Sequence, residues 1–286
     1  MSEIIFPVFK TAGIKEDFPK ERKEVIKLDT KSRYMDNAAA IPLNAEWRNQ
    51  FPGQNGWWYL KLYYNSVNSD RLLGENIYFL CEELLKRKYI DLFFFIRYAD
   101  PKPHIRLRIH LCEKNMDGDL ISVWMQKMYA ELNISSCKID VYEREIERYG
   151  GIELINYAEK FFYSDSLYVM QLLKCQKNDK KNTKIVKAIM GILSLALCTQ
   201  ISVGNLENLL SEMVDKKKYR EIYHEQRKEI LRIIINTRHN IIEDNLEFIQ
   251  IYHWRKRMFE QYWREIVKQD DDLKLSNSRR NILFSI

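Results

Sequence analysis

Residues 91–112 have the sequence DLFFFIRYADPKPHIRLRIHLC, in which two strand-like runs flank a short turn with two prolines. Such runs on either side of a turn are typical of a β-hairpin. In the second run, apolar residues alternate strictly with basic residues and histidines, which assigns the two sets to opposite faces of a strand. The apolar face consists of Ile105, Leu107, Ile109 and Leu111. The other face carries His104, Arg106, Arg108 and His110.

Further elements are predicted on both sides of this hairpin. Residues 57–64 (WWYLKLYY) predict a strand, and residues 70–88 show the apolar spacing of a helix. After the hairpin, residues 120–132 suit a helix and residues 137–142 another strand. The order β-α-β-β-α-β predicts a ferredoxin-like sheet lobe.

The pattern changes after Gly150-Gly151. From residue 153 onward we predict about five helices, including a long one from about 240 to 267, and no strand. The fold class is therefore α+β, with a helical lobe packed on the sheet lobe. We predict an N-terminal segment at 1–52, an α/β sheet lobe at 53–151 and a mainly helical lobe at 152–286.

Composition limits the class of protein. A chain of 286 residues with 46% hydrophobic residues can bury a sizeable core. The first ten residues lack a basic region followed by an apolar one, which argues against a secretory signal and predicts a cytoplasmic protein. The most apolar run, residues 185–203, includes Lys187 and Gln200, and it predicts a buried helix rather than a membrane span.

The five cysteines indicate neither a disulfide framework nor a metal site, because they are odd in number, far apart and without a Cys-x-x-Cys pair. Buried free thiols are favoured, and we expect no cofactor.

The net charge of +6 is unevenly distributed. Basic clusters occupy residues 174–187 and 216–220. A nucleic-acid surface would explain them, but no DNA- or RNA-binding motif accompanies them, so solvated helix ends or loops are favoured. The clusters around Lys180 and Lys217 also suit attraction of an acidic peptide.

The basic strand face is followed by the segment EREIERYGG at residues 143–151. Arginine presents a planar fork that grips carboxylates with two hydrogen bonds. Two arginines that converge from different elements would therefore form a site for a small dicarboxylate or an anionic peptide. The alternative is a solvated outer face with salt bridges to Glu143, Glu145 or Glu147.

Three segments in order resemble signatures of the lantibiotic dehydratase C-terminal domain, also called the thiopeptide-type bacteriocin biosynthesis domain. They are PGQNGWWYLKLY at 52–63, FFIRYADPKPHIRLR at 94–108 and ERYGG at 147–151. Residues 1–51 look like the connector that joins this domain to a glutamylating domain in full-length members.

The resemblance implies a two-step dehydration of a ribosomal precursor peptide with a leader. A glutamyl-tRNA-dependent partner esterifies Ser or Thr with glutamate, and this domain, a lyase, eliminates the glutamate to leave dehydroalanine or dehydrobutyrine. The family's two catalytic arginines match Arg108 and Arg148. Substrate-binding residues are predicted to be Arg97, Tyr98, His104, Arg106, His110 and Tyr149.

The family's third catalytic residue is a histidine in a C-terminal His-(Met/Val)-His-x-Asn-Arg segment, and the sequence ends at Ile286 before any such segment. A truncated product, a segment supplied by another chain and a reaction that does not need it all remain open. His104 and His110 share the strand face of Arg108, so either can be considered as a base, and His110 is the better placed.

Three functions remain open. The first is a stand-alone elimination subunit of a split dehydratase, which works with a separate glutamylating subunit. The second is a thiopeptide enzyme that forms a pyridine from two dehydroalanines by a formal cycloaddition. The third is a non-catalytic subunit that binds the leader peptide or the partner. The resemblance also implies a homodimer, and neither a membrane span nor direct nucleic-acid binding is expected.

Overall fold

The computed structural model describes residues 48–52, 56–64, 69–112, part of 123–130, 134–174, 183–199, 220–239, 242 and 244–269. The predictions made for residues 1–47 and for the clusters around Lys180 and Lys217 lie outside the described residues. Cys175 lies outside them as well.

Strands form two antiparallel sheets in the described part of the chain. The strands are β1 (Asn49–Gln50), β2 (Trp57–Tyr64), β3 (Ile90–Tyr98), β4 (His104–Leu111), β5 (Ile134–Asp140) and β6 (Tyr142–Glu143). The larger sheet has the order β3-β4-β2-β5, so β4 and β2 are central, and β1 pairs with β6 in a small second sheet. Every pairing in both sheets is antiparallel.

Helices surround the larger sheet. They are α1 (Ser69–Arg71), a π-helical segment (Leu72–Ile77), α2 (Tyr78–Lys86), α3 (Ile155–Lys174), α4 (Thr183–Cys198), α5 (Arg220–Arg238) and α6 (Leu246–Lys268). The described residues between 123 and 130 are also helical. The predicted α+β class is confirmed. No described helix combines the length and the apolar character that a membrane crossing requires.

Two predicted elements differ from the observed ones in more than the position of their ends. The strand expected at 137–142 runs from Ile134 to Asp140, and Tyr142 belongs to β6. The break coincides with the carboxylate of Asp140, which accepts a hydrogen bond from the backbone N–H of Val141 (2.8 Å). The helix expected at 70–88 contains the π-helical segment. Gly74 lies in that segment, and a Cβ added to it would come within 2.8 Å of the Leu173 side chain, so close packing on α3 needs this glycine.

The apolar face of the larger sheet and the helices share one hydrophobic core. Leu60, Leu107 and Ile105 of the sheet are completely buried in it. Each such side chain contributes about 1.5–3 kcal/mol of transfer free energy. Helix α3 covers the edge of β3, where Ser166 Oγ accepts a hydrogen bond from the backbone N–H of Phe95 (3.2 Å).

Helix α6 packs against α3 on the side away from the sheet. Asn245 caps its first turn, because the side chain accepts a hydrogen bond from the backbone N–H of Phe248 (2.9 Å). Aromatic contacts then join the helices to each other and to β3: Trp254 meets Tyr163 at 5.2 Å between ring centroids, and Tyr163 meets Phe93 at 5.3 Å.

A buried ion pair links α3 to the segment after β6. Arg144 and Glu159 are both 0% exposed, and they form two hydrogen bonds, Nε to Oε1 at 2.8 Å and Nη2 to Oε2 at 2.9 Å. The hydroxyl of Tyr142 donates a third hydrogen bond to Glu159 Oε1 (2.9 Å). Burial raises the pKa of Glu159, and the charge of Arg144 opposes that rise. A buried pair of this kind depends on both partners, since removal of one leaves the other desolvated and unpaired.

We expect Glu159→Leu to lower the free energy of unfolding by about 3–5 kcal/mol, because Arg144 would stay buried without its counter-charge. Glu75→Leu is the matched control, since Glu75 pairs with Arg71 on the exposed surface, and it should cost at most about 1 kcal/mol. Urea unfolding followed by circular dichroism measures both. An equal loss of unfolding free energy in the two variants would contradict the proposed contribution of the buried pair to stability.

Candidate active site

The strand register brings the basic face of β4 together with aromatic residues of its neighbours. Arg108 lies opposite Tyr59 of β2 and Phe94 of β3. His110 lies opposite Trp57, and His104 opposite Tyr63. His104, Arg108 and His110 are 1%, 7% and 8% exposed. The alternative interpretation required a solvated face, but these three side chains are buried.

Arg108 is held by aromatic rings. Its guanidinium carbon lies 4.7 Å from the ring centroid of Tyr142, 4.8 Å from that of Tyr59 and 5.3 Å from that of Phe94. Among the described residues no carboxylate pairs with it, and its buried Nε has no hydrogen-bond partner. Ring faces attract a guanidinium but carry no net charge. The positive charge of Arg108 is therefore buried and not neutralised by the described residues.

The ring of Tyr142 is fixed by the buried ion pair of Arg144 and Glu159, through the hydrogen bond from its hydroxyl to Glu159. Burial, followed by the charge of Glu159, raises the pKa of Tyr142 well above its ordinary value. Tyr142 therefore stays protonated and continues to donate to Glu159. One wall of the Arg108 pocket thus depends on a carboxylate from helix α3.

Arg148 lies in the turn that follows β6. Its Nη1 donates to Glu145 (2.6 Å), and its side chain is one-third exposed. Burial raises the pKa of Tyr149 to about 12, and the charge of Glu145 adds to the rise, whereas both Arg148 and Arg108 act to lower this pKa. The guanidinium carbon of Arg148 lies 5.7 Å from the ring centroid of Tyr149. Both guanidinium groups therefore influence the electrostatics of Tyr149.

Tyr98, His104 and Arg106 form a second group on the same face. The Arg106 guanidinium carbon lies 3.3 Å from the ring centroid of Tyr98, and Nε donates to His104 Nε2 (3.2 Å). His104 Nδ1 lies 2.8 Å from the carbonyl oxygen of Lys102. This pattern assigns the neutral tautomer with hydrogen on Nδ1, since Nε2 must accept. Burial, together with the charges of Arg106 and Lys61, lowers the pKa of His104.

Arg97 does not join these residues. It lies opposite Ile105 in the register, and therefore on the apolar face, where its Nη1 pairs with Asp70 (2.7 Å). The step of one residue from Tyr98 reverses the side-chain direction. The structure thus places this predicted substrate-binding residue away from Arg108.

His110 pairs with a carboxylate that the sequence did not single out. Its Nδ1 lies 3.1 Å from Asp91 Oδ2, and the thiol of Cys112 donates to Asp91 Oδ1 (2.6 Å). The edge of Trp57 packs on the imidazole, with 5.1 Å between ring centroids. A register shift in β3 between Ile90 and Leu92 lies at Asp91. Sequence alternation alone does not reveal such an irregularity.

Four further residues of the site were missed for a shared reason. Tyr59 and Phe94 reach Arg108 from neighbouring strands, whereas Arg144 and Glu159 act on Tyr142 from the segment after β6 and from helix α3. Only the alternation of β2 carried a signal, since it assigns Tyr59 and Trp57 to one face. Within the described part of the chain, no three His, Cys, Asp or Glu side chains are grouped as metal ligands would be.

The arrangement can bind an anion and move a proton. Arg108 offers a buried charge for an oxyanion, Arg148 offers a second charge near Tyr149, and His110 offers an imidazole next to a carboxylate. These are the components of an acid–base reaction that builds up negative charge on a substrate oxygen.

A family model described as "Lantibiotic biosynthesis dehydratase C-term" matches residues 57–286. The chain belongs to this family. The resemblance seen in the sequence is thereby confirmed, and the match includes both the sheet with Arg108 and the helices behind it.

Two relatives are similar over only part of their length. Nisin biosynthesis protein NisB of Lactococcus lactis subsp. lactis is 28% identical over 235 residues, which are 81% of this chain and 23% of NisB. Subtilin biosynthesis protein SpaB of Bacillus subtilis is 32% identical over 168 residues, 58% of this chain and 16% of SpaB. This family member therefore spans less than a quarter of the length of these relatives.

Solved structures support the fold. The tRNA-dependent lantibiotic dehydratase MibB from Microbispora sp. 107891 aligns with 80% of this chain and 25% of its own, with a TM-score of 0.64 and 18% identity. The pyridine synthase TbtD from thiomuracin biosynthesis aligns with 80% of this chain and 89% of its own, with a TM-score of 0.52 and 11% identity. At these identities the likeness shows a common fold, not a common reaction.

We expect His104 to stay neutral in the folded protein below its ordinary pKa of 6.5. As the pH falls, the unfolded chain then takes up a proton before the folded chain does. The stability contributed by neutral His104 is thus present above pH 6.5 and lost as the pH falls through the lower folded-state pKa.

The matched variant for this prediction is His104→Gln, which keeps an acceptor for Arg106 but does not titrate. From about pH 7.5 to about pH 5 the wild type should lose more unfolding free energy than this variant, as measured by urea unfolding. The same loss in both proteins would show that His104 is not held neutral. The pKa of His104 from the pH dependence of its NMR signals checks the result directly.

Proposed function

We propose that this chain is a lyase that removes glutamate from glutamylated Ser or Thr residues of a precursor peptide and leaves dehydroalanine or dehydrobutyrine. The observation that carries the proposal is the buried guanidinium of Arg108 on the aromatic face of the sheet, for which no described residue supplies a counter-charge. A charge in that position destabilises the empty protein, and an anionic ligand or intermediate relieves the cost.

The aromatic surroundings favour transition-state stabilisation. Water competes weakly at a 7% exposed side chain, so an oxyanion beside Arg108 interacts with it more strongly than in solvent. The rings of Tyr59, Tyr142 and Phe94 hold the guanidinium before substrate arrives, so little reorganisation is needed during the reaction.

The proposed reaction has two changes in bonding. A base takes the α-proton of the esterified residue, and the electrons of that C–H bond form an enolate on the carbonyl group. The bond between Cβ and the ester oxygen then breaks, a C=C bond forms, and glutamate leaves with the electron pair as a carboxylate. Arg108 stabilises the enolate oxygen, and Arg148 binds the departing glutamyl group, for which Tyr149 is a hydrogen-bond donor.

The other residues of this face are proposed to bind the peptide. Arg106 has no carboxylate partner among the described residues and is oriented by Tyr98 and His104, which suits an acidic or carbonyl group of the substrate. The site residues of the proposal are thus Arg108 and Arg148, with Tyr98, His104, Arg106, His110 and Tyr149 around them.

The proposal includes partners and a setting. The substrate is a ribosomal precursor peptide with a leader, and a glutamyl-tRNA-dependent enzyme supplies the ester. NisB, SpaB and MibB are named for lantibiotic biosynthesis, which supports a peptide substrate of this class. We further propose that the protein works in the cytoplasm as a homodimer.

We also propose the lobe organisation expected from the sequence, with a ferredoxin-like sheet lobe at 53–151 and a helical lobe at 152–286. The strand order β3-β4-β2-β5 with fully antiparallel pairing supports it. Buried residues of both lobes belong to one hydrophobic core.

Incubation of the purified protein with a peptide that carries glutamate esterified to Ser should yield dehydroalanine, seen by mass spectrometry as loss of one glutamic acid. Arg108→Met should reduce kcat/KM by about 10²-fold or more, because the enolate loses its oxyanion partner. Arg148→Ala should reduce it to a similar extent.

Two controls separate function from folding. Arg87→Ala removes an exposed arginine that pairs with Glu83, and it should leave the rate within about twofold. Arg108→Met should unfold at an equal or higher urea concentration than the wild type, since it removes a buried, unpaired charge. Full activity in a folded Arg108→Met variant would contradict the proposed function.

A further inference from the structure

We infer that His110 is the base that takes the α-proton in the proposed elimination, and that Asp91 is the positioning residue that holds its imidazole. This inference rests on the proposed function, and it assigns a proton acceptor within the described sheet. The observations that carry it are the pairing of His110 with Asp91 and the position of His110 two residues from Arg108 on the same face of β4.

The carboxylate of Asp91 is fixed by two donors. His110 Nδ1 and Cys112 Sγ occupy its two oxygens, at 3.1 Å and 2.6 Å. Burial acts to raise the pKa of Asp91, but the two hydrogen bonds outweigh it and leave this pKa below the ordinary value. Asp91 is therefore a carboxylate at neutral pH, and it can accept from Nδ1–H and stabilise the imidazolium that forms when His110 takes a proton.

The pairing determines which ring nitrogen can act. With hydrogen on Nδ1 directed at Asp91, the lone pair lies on Nε2. No described residue forms a hydrogen bond with His110 Nε2. His104 differs in this respect, since its Nε2 already accepts from Arg106. Of the two histidines on this face, His110 is thus the one whose Nε2 forms no hydrogen bond with a described residue.

Space beside Nε2 is kept by a glycine. A Cβ added to Gly56 would come within 3.0 Å of His110 Nε2 and 3.2 Å of the carbonyl oxygen of Leu111. Gly56 also has a φ of +78°, which other residues rarely adopt. The start of β2 therefore passes the imidazole without a side chain against its reactive nitrogen.

The spacing of His110 and Arg108 along β4 suits the spacing of the two substrate atoms on which they would act. Alternate residues of a strand project from the same face about 7 Å apart. A peptide Cα–H and its own carbonyl oxygen lie on adjacent carbons, so a base and an oxyanion donor that each reach about 3 Å can engage both from these positions. Trp57 contacts His110, Tyr142 contacts Arg108, and the two rings lie 5.1 Å apart between centroids, so the same aromatic pair packs on both side chains.

Each proton and electron pair in the proposed step has a defined destination. His110 Nε2 receives the α-proton, the C–H electrons form the enolate stabilised by Arg108, and glutamate leaves from Cβ with the electrons of the C–O bond. The imidazolium later releases its proton to solvent. Charged groups that face His110 are Asp91 of β3 and, beyond Trp57, the ion pair of Arg144 and Glu159, while Arg108 lies on its own strand.

The test compares Asp91→Asn and His110→Gln with the matched control His239→Gln, since His239 is an exposed histidine at the end of α5. Both site variants should lower kcat for glutamate loss by about 10²-fold or more with little change in KM. In Asp91→Asn the amide no longer holds hydrogen on Nδ1, so the pH dependence of kcat should also change. A merely structural role would not alter the pH profile of a folded variant.

Two further measurements make the result decisive. Exchange of the substrate α-proton for deuterium in D₂O reports on the base even where glutamate is not lost, and it should persist in Arg148→Ala but not in His110→Gln. Nitrogen-15 NMR of the folded wild type should show His110 with hydrogen on Nδ1. Hydrogen on Nε2 instead would overturn the inference without any variant.

The inference and the proposed function fail in different ways. If the wild type eliminates glutamate and Arg108→Met does not, while His110→Gln keeps the full rate, the lyase stands and another group is the base. If the wild type causes neither elimination nor α-proton exchange, both are wrong. If a variant does not fold, the tautomer of His110 measured in the wild type tests the inference instead.

Discussion

The buried ion pair of Arg144 and Glu159 is the interaction on which the rest of this structure depends. It joins helix α3 to the end of the sheet, and it uses the remaining capacity of Glu159 to hold Tyr142. Tyr142 in turn lines the guanidinium of Arg108 and contacts the ring of Trp57. The same carboxylate therefore serves the packing of the helices and the shape of the candidate active site.

Two of the buried arginines, Arg144 and Arg108, illustrate opposite solutions to the cost of a buried charge. Arg144 has a bidentate carboxylate partner and is structural. Arg108 has aromatic rings in place of a carboxylate. Glu159 thus balances the charge of Arg144 behind the site. The charge of Arg108 within the site has no such partner among the described residues, so of the two it is the one that can attract an anionic ligand.

Much of the sheet was predictable because its signals are local. The bounds of β2 match the prediction, and β3 and β4 differ from it by one residue, since alternation and a proline turn fix both strands. The π-helical segment was not predictable, because it coincides with a contact between Gly74 and α3 far along the chain. The start of α6 depends on a single cap, Asn245, which a periodicity argument places only to within several residues.

The candidate site was likewise predictable only where the sequence signal is local. Alternation along one strand correctly grouped His104, Arg106, Arg108 and His110 on a common face, as the register shows. Arg97 was predicted to bind substrate with them, but it lies on β3 opposite Ile105 and therefore on the apolar face. Asp91, Tyr59 and Glu159 become neighbours of this face only through strand pairing and helix docking, so no pattern within one segment identifies them.

The hydrogen bond from Phe95 to Ser166 has a consequence for solubility. β3 contains the apolar run LFFFI at residues 92–96 and lies at the border of its sheet, where exposed backbone groups would recruit a strand from another copy. Helix α3 covers that border and uses its own serine to occupy a backbone N–H. Detachment of α3 would therefore expose an aggregation-prone segment, and the helix protects the folded chain from self-association as well as supporting its chemistry.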